Sequence, residues 1–120
     1  MRSAQSMKKI ESPRDVKTVV AMMHDSEFTE ADFGFDAEKE RFFLKSYSPF
    51  RQETFNLQFH NVEKYKTVNL DKIPQRKATG GVFNYIKIRK RGLKLTLVSQ
   101  DLRIVIEMSK LEGELNVTKE

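Results

Sequence analysis

The last third of the chain is written with a period of two. Val82, Ile86 and Ile88, then Leu93, Leu95 and Leu97, then Leu102, Ile104, Ile106 and Met108 place apolar side chains at matching parities in three successive runs, 82–90, 93–99 and 102–109. Successive strand residues point to opposite faces, so each run has one dry face and one wet face. A slip of one residue would turn a whole strand inside out, so the parities fix the register. Ile88 must lie beside Leu95 and Ile86 beside Leu97, which sets Arg89 opposite Lys94. The connection is then a tight turn at Arg91-Gly92 or a four-residue loop. In the last hairpin the same reasoning pairs Leu97 with Ile104, Leu95 with Ile106 and Lys94 with Glu107. The expectation is an antiparallel meander.

Upstream, Ser12-Pro13-Arg14-Asp15 supplies an N-cap, a proline at the first helical position and an acid three residues after the cap. Val16, Val19, Val20 and Met23 follow at i, i+3, i+4 and i+7, which predicts an amphipathic helix over 13–24. The period then changes. Phe33 and Phe35, with Phe42 and Leu44, alternate around Ala37-Glu38-Lys39 and read as a hairpin. Phe55, Leu57 and Phe59 alternate with polar residues as a strand, set off from that hairpin by Ser48-Pro49. Residues 61–79 show no sustained period and read as a polar connection with room for one short helical turn. Gly80-Gly81 closes it.

One helix and this set of strands predict an α+β fold, with the N-terminal helix packed on one face of a mainly antiparallel sheet of about six strands, strongly twisted or barrel-like. At 120 residues the chain has the length of one domain. Residues 1–11 are expected to be a flexible tail and 12–120 a single domain. The expected core comprises Val16, Val19, Val20, Met23, Phe33, Phe35, Phe42, Leu44, Phe55, Leu57, Phe59, Ile86, Ile88, Leu95, Leu97, Ile104 and Ile106. The longest apolar stretch, 19–23, is far short of the roughly 20 residues of a membrane span, and no signal-peptide core precedes it. A cytoplasmic protein with no membrane partner is the expectation.

Catalytic motifs are absent. Without cysteine there are no disulfides, thiolate metal ligands or cysteine nucleophiles. His24-Asp25 resembles the pair used by metal phosphohydrolases, but such a site needs several ligands and the only other histidine is His60. The acids Glu27, Glu30, Asp32, Asp36, Glu38 and Glu40 single out no pair for acid–base work. Serines lack a nucleophile-elbow pattern, and the glycine pair lacks phosphate-loop spacing. No cofactor, no metal and no enzymatic activity are expected.

Charge, in contrast, is segregated. From Lys64 to Lys94 there are ten lysines and arginines against the single acid Asp71, whereas residues 24–40 carry seven acids against Lys39. Such asymmetry directs a field at a partner of one sign. The candidate binding residues are Phe83, Tyr85, Lys87, Arg89, Lys90, Arg91, Lys94 and Arg103, assigned by parity to the outer face and tip of the meander. Cations with aromatic rings on a sheet face suit single-stranded nucleic acid; an acidic protein is the other fitting partner. A hairpin tip made basic only to discourage edge aggregation is the plain alternative. The aromatic motif of RNA-recognition domains and zinc-finger spacings are both missing.

Met23-His24-Asp25-Ser26, the Phe33 to Phe35 strand, Leu57-Gln58-Phe59-His60-Asn61-Val62 and the long terminal strands together resemble a loose group of small, uncharacterised bacterial β-rich proteins with a His-Asp-Ser or His-Asp-Ala start. Some of that group are classed as immunity proteins of polymorphic toxin systems. The resemblance runs from Met23 to Met108, and the 61–79 connection has no counterpart in it. It implies a protein that binds and blocks a partner, not an enzyme. Immunity proteins facing nucleases are often acidic, whereas this chain has a pI near 9.5. The functional expectation is an immunity-like protein-interaction module, with single-stranded nucleic-acid binding through 87–94 as the alternative.

Overall fold

Ten strands and one helix follow one another in the computed structural model, which describes residues 4–69 and 81–120. They are β1 (Ala4–Ile10), α1 (Pro13–Met23), β2 (Glu27–Phe28), β3 (Phe33–Asp36), β4 (Arg41–Ser48), β5 (Glu53–Phe59), β6 (Val62–Asn69), β7 (Gly81–Arg89), β8 (Lys94–Ser99), β9 (Leu102–Met108) and β10 (Gly113–Lys119). The strands form a sheet in the order β1-β10-β5-β4-β2-β7-β8-β9-β6, with β3 paired to β4. Every pairing among the described residues is antiparallel.

This corrects the α+β expectation. Among the described residues the molecule is mostly antiparallel sheet, 61% strand with one short helix, and the sheet does not close into a barrel. Residues 4–10, expected as a flexible tail, form β1, hydrogen-bonded to β10 in unbroken register. Residues 62–69, expected as part of a polar connection, form β6; residues 70–79 of that connection, and Gly80, lie outside the described residues. Nor does α1 cover one face of a sheet. It contacts both β1 and β7, which belong to different halves, and the turn after β7.

Helix α1 starts where Ser12 and Asp15 exchange hydrogen bonds in a capping box, with Pro13 at its first turn. Its buried stripe is Val16, Val19 and Met23. These join one contiguous core with Phe42, Leu44, Phe55, Leu57, Phe59, Leu95, Leu97, Ile104 and Ile106. Val20, Phe33, Phe35 and Ile88 pack on it while half-buried. The core also takes Ile10, Phe28, Val62, Phe83, Leu111, Leu115 and Val117 from segments that parity did not assign to it. The sheet bends far enough that Tyr65 of β6 stacks on Phe35 of β3 at 5.4 Å between ring centroids. The Val62 amide donates to the Glu40 carbonyl at 2.8 Å beside that stack.

The meander has the register that its parities dictate: Arg89 faces Lys94, Ile88 faces Leu95, Leu97 faces Ile104 and Lys94 faces Glu107. Four residues, 90–93, make the first connection, with Lys90, Arg91 and Gly92 all at positive φ. Gly92 is required there. Its φ is +94°, and a Cβ would sit 2.6 Å from the Leu111 side chain.

Candidate functional site: a cationic sheet face

On the side of β6–β9 that faces away from the core, the register sets side chains in three cross-strand rows. The first runs Arg89, Lys94, Glu107, Lys64; the second Lys87, Thr96, Val105, Lys66; the third Tyr85, Val98, Arg103, Val68. All but Arg89 line one open concavity of about 580 Å³, within the size range of ligand sites. Cations rise from both outer strands, while the middle of the second row is an uncharged, β-branched floor. Val98 is buried, yet it lies outside the main core cluster and belongs to this floor.

Among the described residues, Glu107 is the only acid lining the concavity. Its carboxylate accepts a hydrogen bond from Lys90 at 3.0 Å and lies 3.9 Å from the Lys64 ammonium. The Lys90 hydrogen bond, with the charges of Lys90, Lys64 and Lys94, lowers its pKa below the usual glutamate value against a smaller opposing desolvation. The first row is thus partly neutralised from within. Lys66, Lys87 and Arg103 in the other two rows are exposed, and among the described residues they make no ion pair.

Of the residues expected here, Tyr85, Lys87, Lys94 and Arg103 meet in the concavity, and Arg89 extends its first row. Lys90 reaches in from the turn to Glu107, while Arg91 stays exposed at the turn. Phe83 is a correction. It is fully buried, 0% exposed, on the core side, whereas Tyr85 two residues later is 50% exposed. A β-bulge between them shifts the register, pairing Phe83 with Ser99 and Tyr85 with Val98, and the extra residue Asn84 reverses the parity. The turn after α1 holds the bulge. Asp25 donates its amide to the Phe83 carbonyl, Phe83 donates to Ser26, and the His24 Nδ1–H donates to the Asn84 carbonyl at 2.9 Å. His24 therefore ties a helix end to a strand, and His60 reaches Glu114 on β10 at 2.8 Å.

Lys64, Lys66 and Val68, the fourth wall, were not expected because β6 was not. The signal was present in altered form: Val62 and Tyr65, both on the core side, are spaced by three because a second register shift falls between Val62 and Lys64, while Val68 belongs to the opposite face. The outer face of the other half differs in character. Thr54, Asn56 and Gln58 of β5 lie beside Thr118, Asn116 and Glu114 of β10, giving mostly neutral amides and hydroxyls. Lys45 of β4 and Lys9 of β1 flank that polar stretch, so positive charge is concentrated on the β6–β9 face and not confined to it.

The chain matches no family model, no curated protein and no solved structure. Among the described residues no helix is long and apolar enough to cross a membrane, and no three of His, Asp or Glu gather as a metal cluster.

Proposed function

We propose that this protein is a non-enzymatic interaction module whose β6–β9 face binds an acidic segment of a partner protein. The observation that carries this reading is the second row, where Lys87 and Lys66 flank Thr96 and Val105. Cations at the rim take carboxylates, and the β-branched floor takes the apolar parts of the same segment, so charge supplies steering and the floor supplies burial. In the immunity-like form of this proposal, the partner is a toxin presenting such a segment. Single-stranded nucleic acid is the second reading, favoured by the half-exposed Tyr85 ring beside Lys87. The central strands β8 and β9 offer no aromatic ring for stacking on this face, which weighs against it.

Polyglutamate and an oligothymidine, both labelled, separate the two at low salt. Polyglutamate is expected to bind the parent, to weaken steeply with added salt, and to lose binding in the double variant Lys66→Glu, Lys87→Glu. Binding of oligothymidine alone, lost in the same variant, would replace the protein-partner reading with the nucleic-acid one.

A further inference from the structure

The row geometry carries more than a sign of charge, and this step rests on the acidic-segment reading above. Rows along a strand are two residues apart, about 6.7 Å at the rise of an antiparallel strand. An extended peptide repeats its side chains on one face at the same two-residue spacing. We infer that the β6–β9 face reads an extended acidic segment lying along β8 and β9, with two carboxylates spaced i and i+2, and that Glu107 limits how many it accepts.

The two carboxylates meet the second and third rows. In the second, Lys66 and Lys87 reach over Thr96 and Val105 from opposite rims, with backbones three strand spacings or about 14 Å apart. In the third, Arg103 offers a planar fork and Tyr85 a hydroxyl, each matched to a carboxylate. A third carboxylate at i+4 reaches the first row, where Glu107 already holds Lys90 and Lys64. There the partner's acid meets a like charge that already engages Lys90 and Lys64, which leaves Lys94 and Arg89 as the cations of that row without an ion pair among the described residues. Glu107 thus acts as an internal stand-in for a partner carboxylate and marks where the acidic stretch ends.

Three labelled peptides of Ser, Thr, Val and Asp test this against folded parent and Glu107→Gln protein by fluorescence anisotropy in low salt. One carries two Asp residues at i and i+2, one the same composition with the two Asp adjacent, and one three Asp at i, i+2 and i+4. In the parent, the spaced pair should bind about fivefold more tightly than the adjacent pair, the size of one or two modest ion pairs. The third Asp should improve binding at least about threefold more in Glu107→Gln than in the parent, as a coupling between neighbours.

Equal binding of the spaced and adjacent pairs overturns the extended, alternating segment while leaving an acidic partner in place. An equal gain from the third Asp in both proteins overturns the role of Glu107. If no peptide binds either protein, the acidic-segment reading fails along with the inference. A single-stranded oligonucleotide that displaces all three peptides at lower concentration puts nucleic acid in the groove instead.

Discussion

Replacing Phe83 with alanine separates the bulged structure from simple alternation, because the two give opposite answers at one position. By parity alone Phe83 shares a face with Tyr85 and Lys87, and truncating an exposed ring costs within about 0.5 kcal/mol. In the structure the ring is fully buried and packs in the main core cluster. Its loss removes about 1.5–3 kcal/mol of transfer free energy and leaves a cavity, so the total is about 3–5 kcal/mol. Against a typical domain stability of about 5–15 kcal/mol this is a large fraction. For a chain of this size it corresponds to a fall in Tm of roughly 10–20 °C. Phe83→Leu, which keeps most of the volume, should lose about 1 kcal/mol. Tyr85→Ala, half-exposed, should lose no more than about 1 kcal/mol. Urea titration followed by circular dichroism measures all three, with an unchanged m-value showing that the denatured state is not the cause. A Phe83→Ala protein within 1 kcal/mol of the parent, or a Tyr85→Ala protein as damaged as Phe83→Ala, would refute the bulge at Asn84 and the inward turn of Phe83.

Leu57→Ala, in a fully buried site on β5, should cost about 2–5 kcal/mol by the same titration. Gly92→Ala forces a left-handed backbone on a residue with a Cβ, a cost of about 1–2 kcal/mol before any displacement of Leu111 is added; a melting curve superimposable on the parent's would remove the steric account of the turn. Ser12→Ala should destabilise by about 1 kcal/mol through loss of the cap. Asp15 gives that cap a pH signature: hydrogen bonds from the Glu11 backbone and Lys8 lower its pKa. The stabilisation from a depressed carboxylate is complete above the ordinary aspartate value near 3.9 and is lost as pH falls through the lower native value. Acid titrations of stability should therefore show a shallower fall in Asp15→Asn than in the parent. Tyr65 has the opposite sense, since burial raises its pKa. Its stabilisation is complete below the unfolded tyrosine value near 10 and is lost as pH rises through the native value. Tyr65→Phe keeps the stack on Phe35, so it should match the parent at pH 7 and hold its stability better in alkali.

Why the meander was readable and its flanks were not comes down to bulges and neighbours. Between Tyr85 and Met108 the strands pair in continuous register, so side-chain parity in the sequence is side-chain face in space, and every pairing from Arg89–Lys94 to Leu97–Ile104 follows. One extra residue at Asn84 reverses the parity, sending Phe83 inward. One extra residue near Glu63 spaces the core-side Val62 and Tyr65 by three and hides β6. A bulge leaves almost no mark in a single sequence, because what fixes it here is backbone bonding to Asp25 and Ser26, almost sixty residues away. Strand β1 is hidden differently: of Ser6, Lys8 and Ile10, which alternate on one side of it, Ser6 is exposed, Lys8 half-buried and only Ile10 enters the core, so β10 and not a hydrophobic period holds it. Strand β10 does alternate, Leu115 and Val117 against Glu114, Asn116 and Thr118, and that signal was available in the sequence.

The same physics decides how much of the basic face was legible. Lys87, Lys94 and Arg103 lie on strands whose parity is intact, so their common face follows from the sequence. Lys66 sits beyond the β6 bulge, and without it the face has one cationic rim and remains a solvated hairpin of the kind that merely discourages aggregation. With it, the second row has a cation at each end and an uncharged floor between, and a flat basic surface becomes a two-sided cradle. The acidic stretch at 24–40 does not line that cradle: Asp32 caps Thr29, Asp36 caps the turn at Lys39, and among the described residues the groove's one carboxylate comes from Glu107. Lys66, Lys87 and Arg103 are thus left without an ion-pair partner among the described residues. Three desolvation-ready cations around an apolar floor contribute little to stability as exposed charges; their energetic value lies in what an anionic partner brings to them.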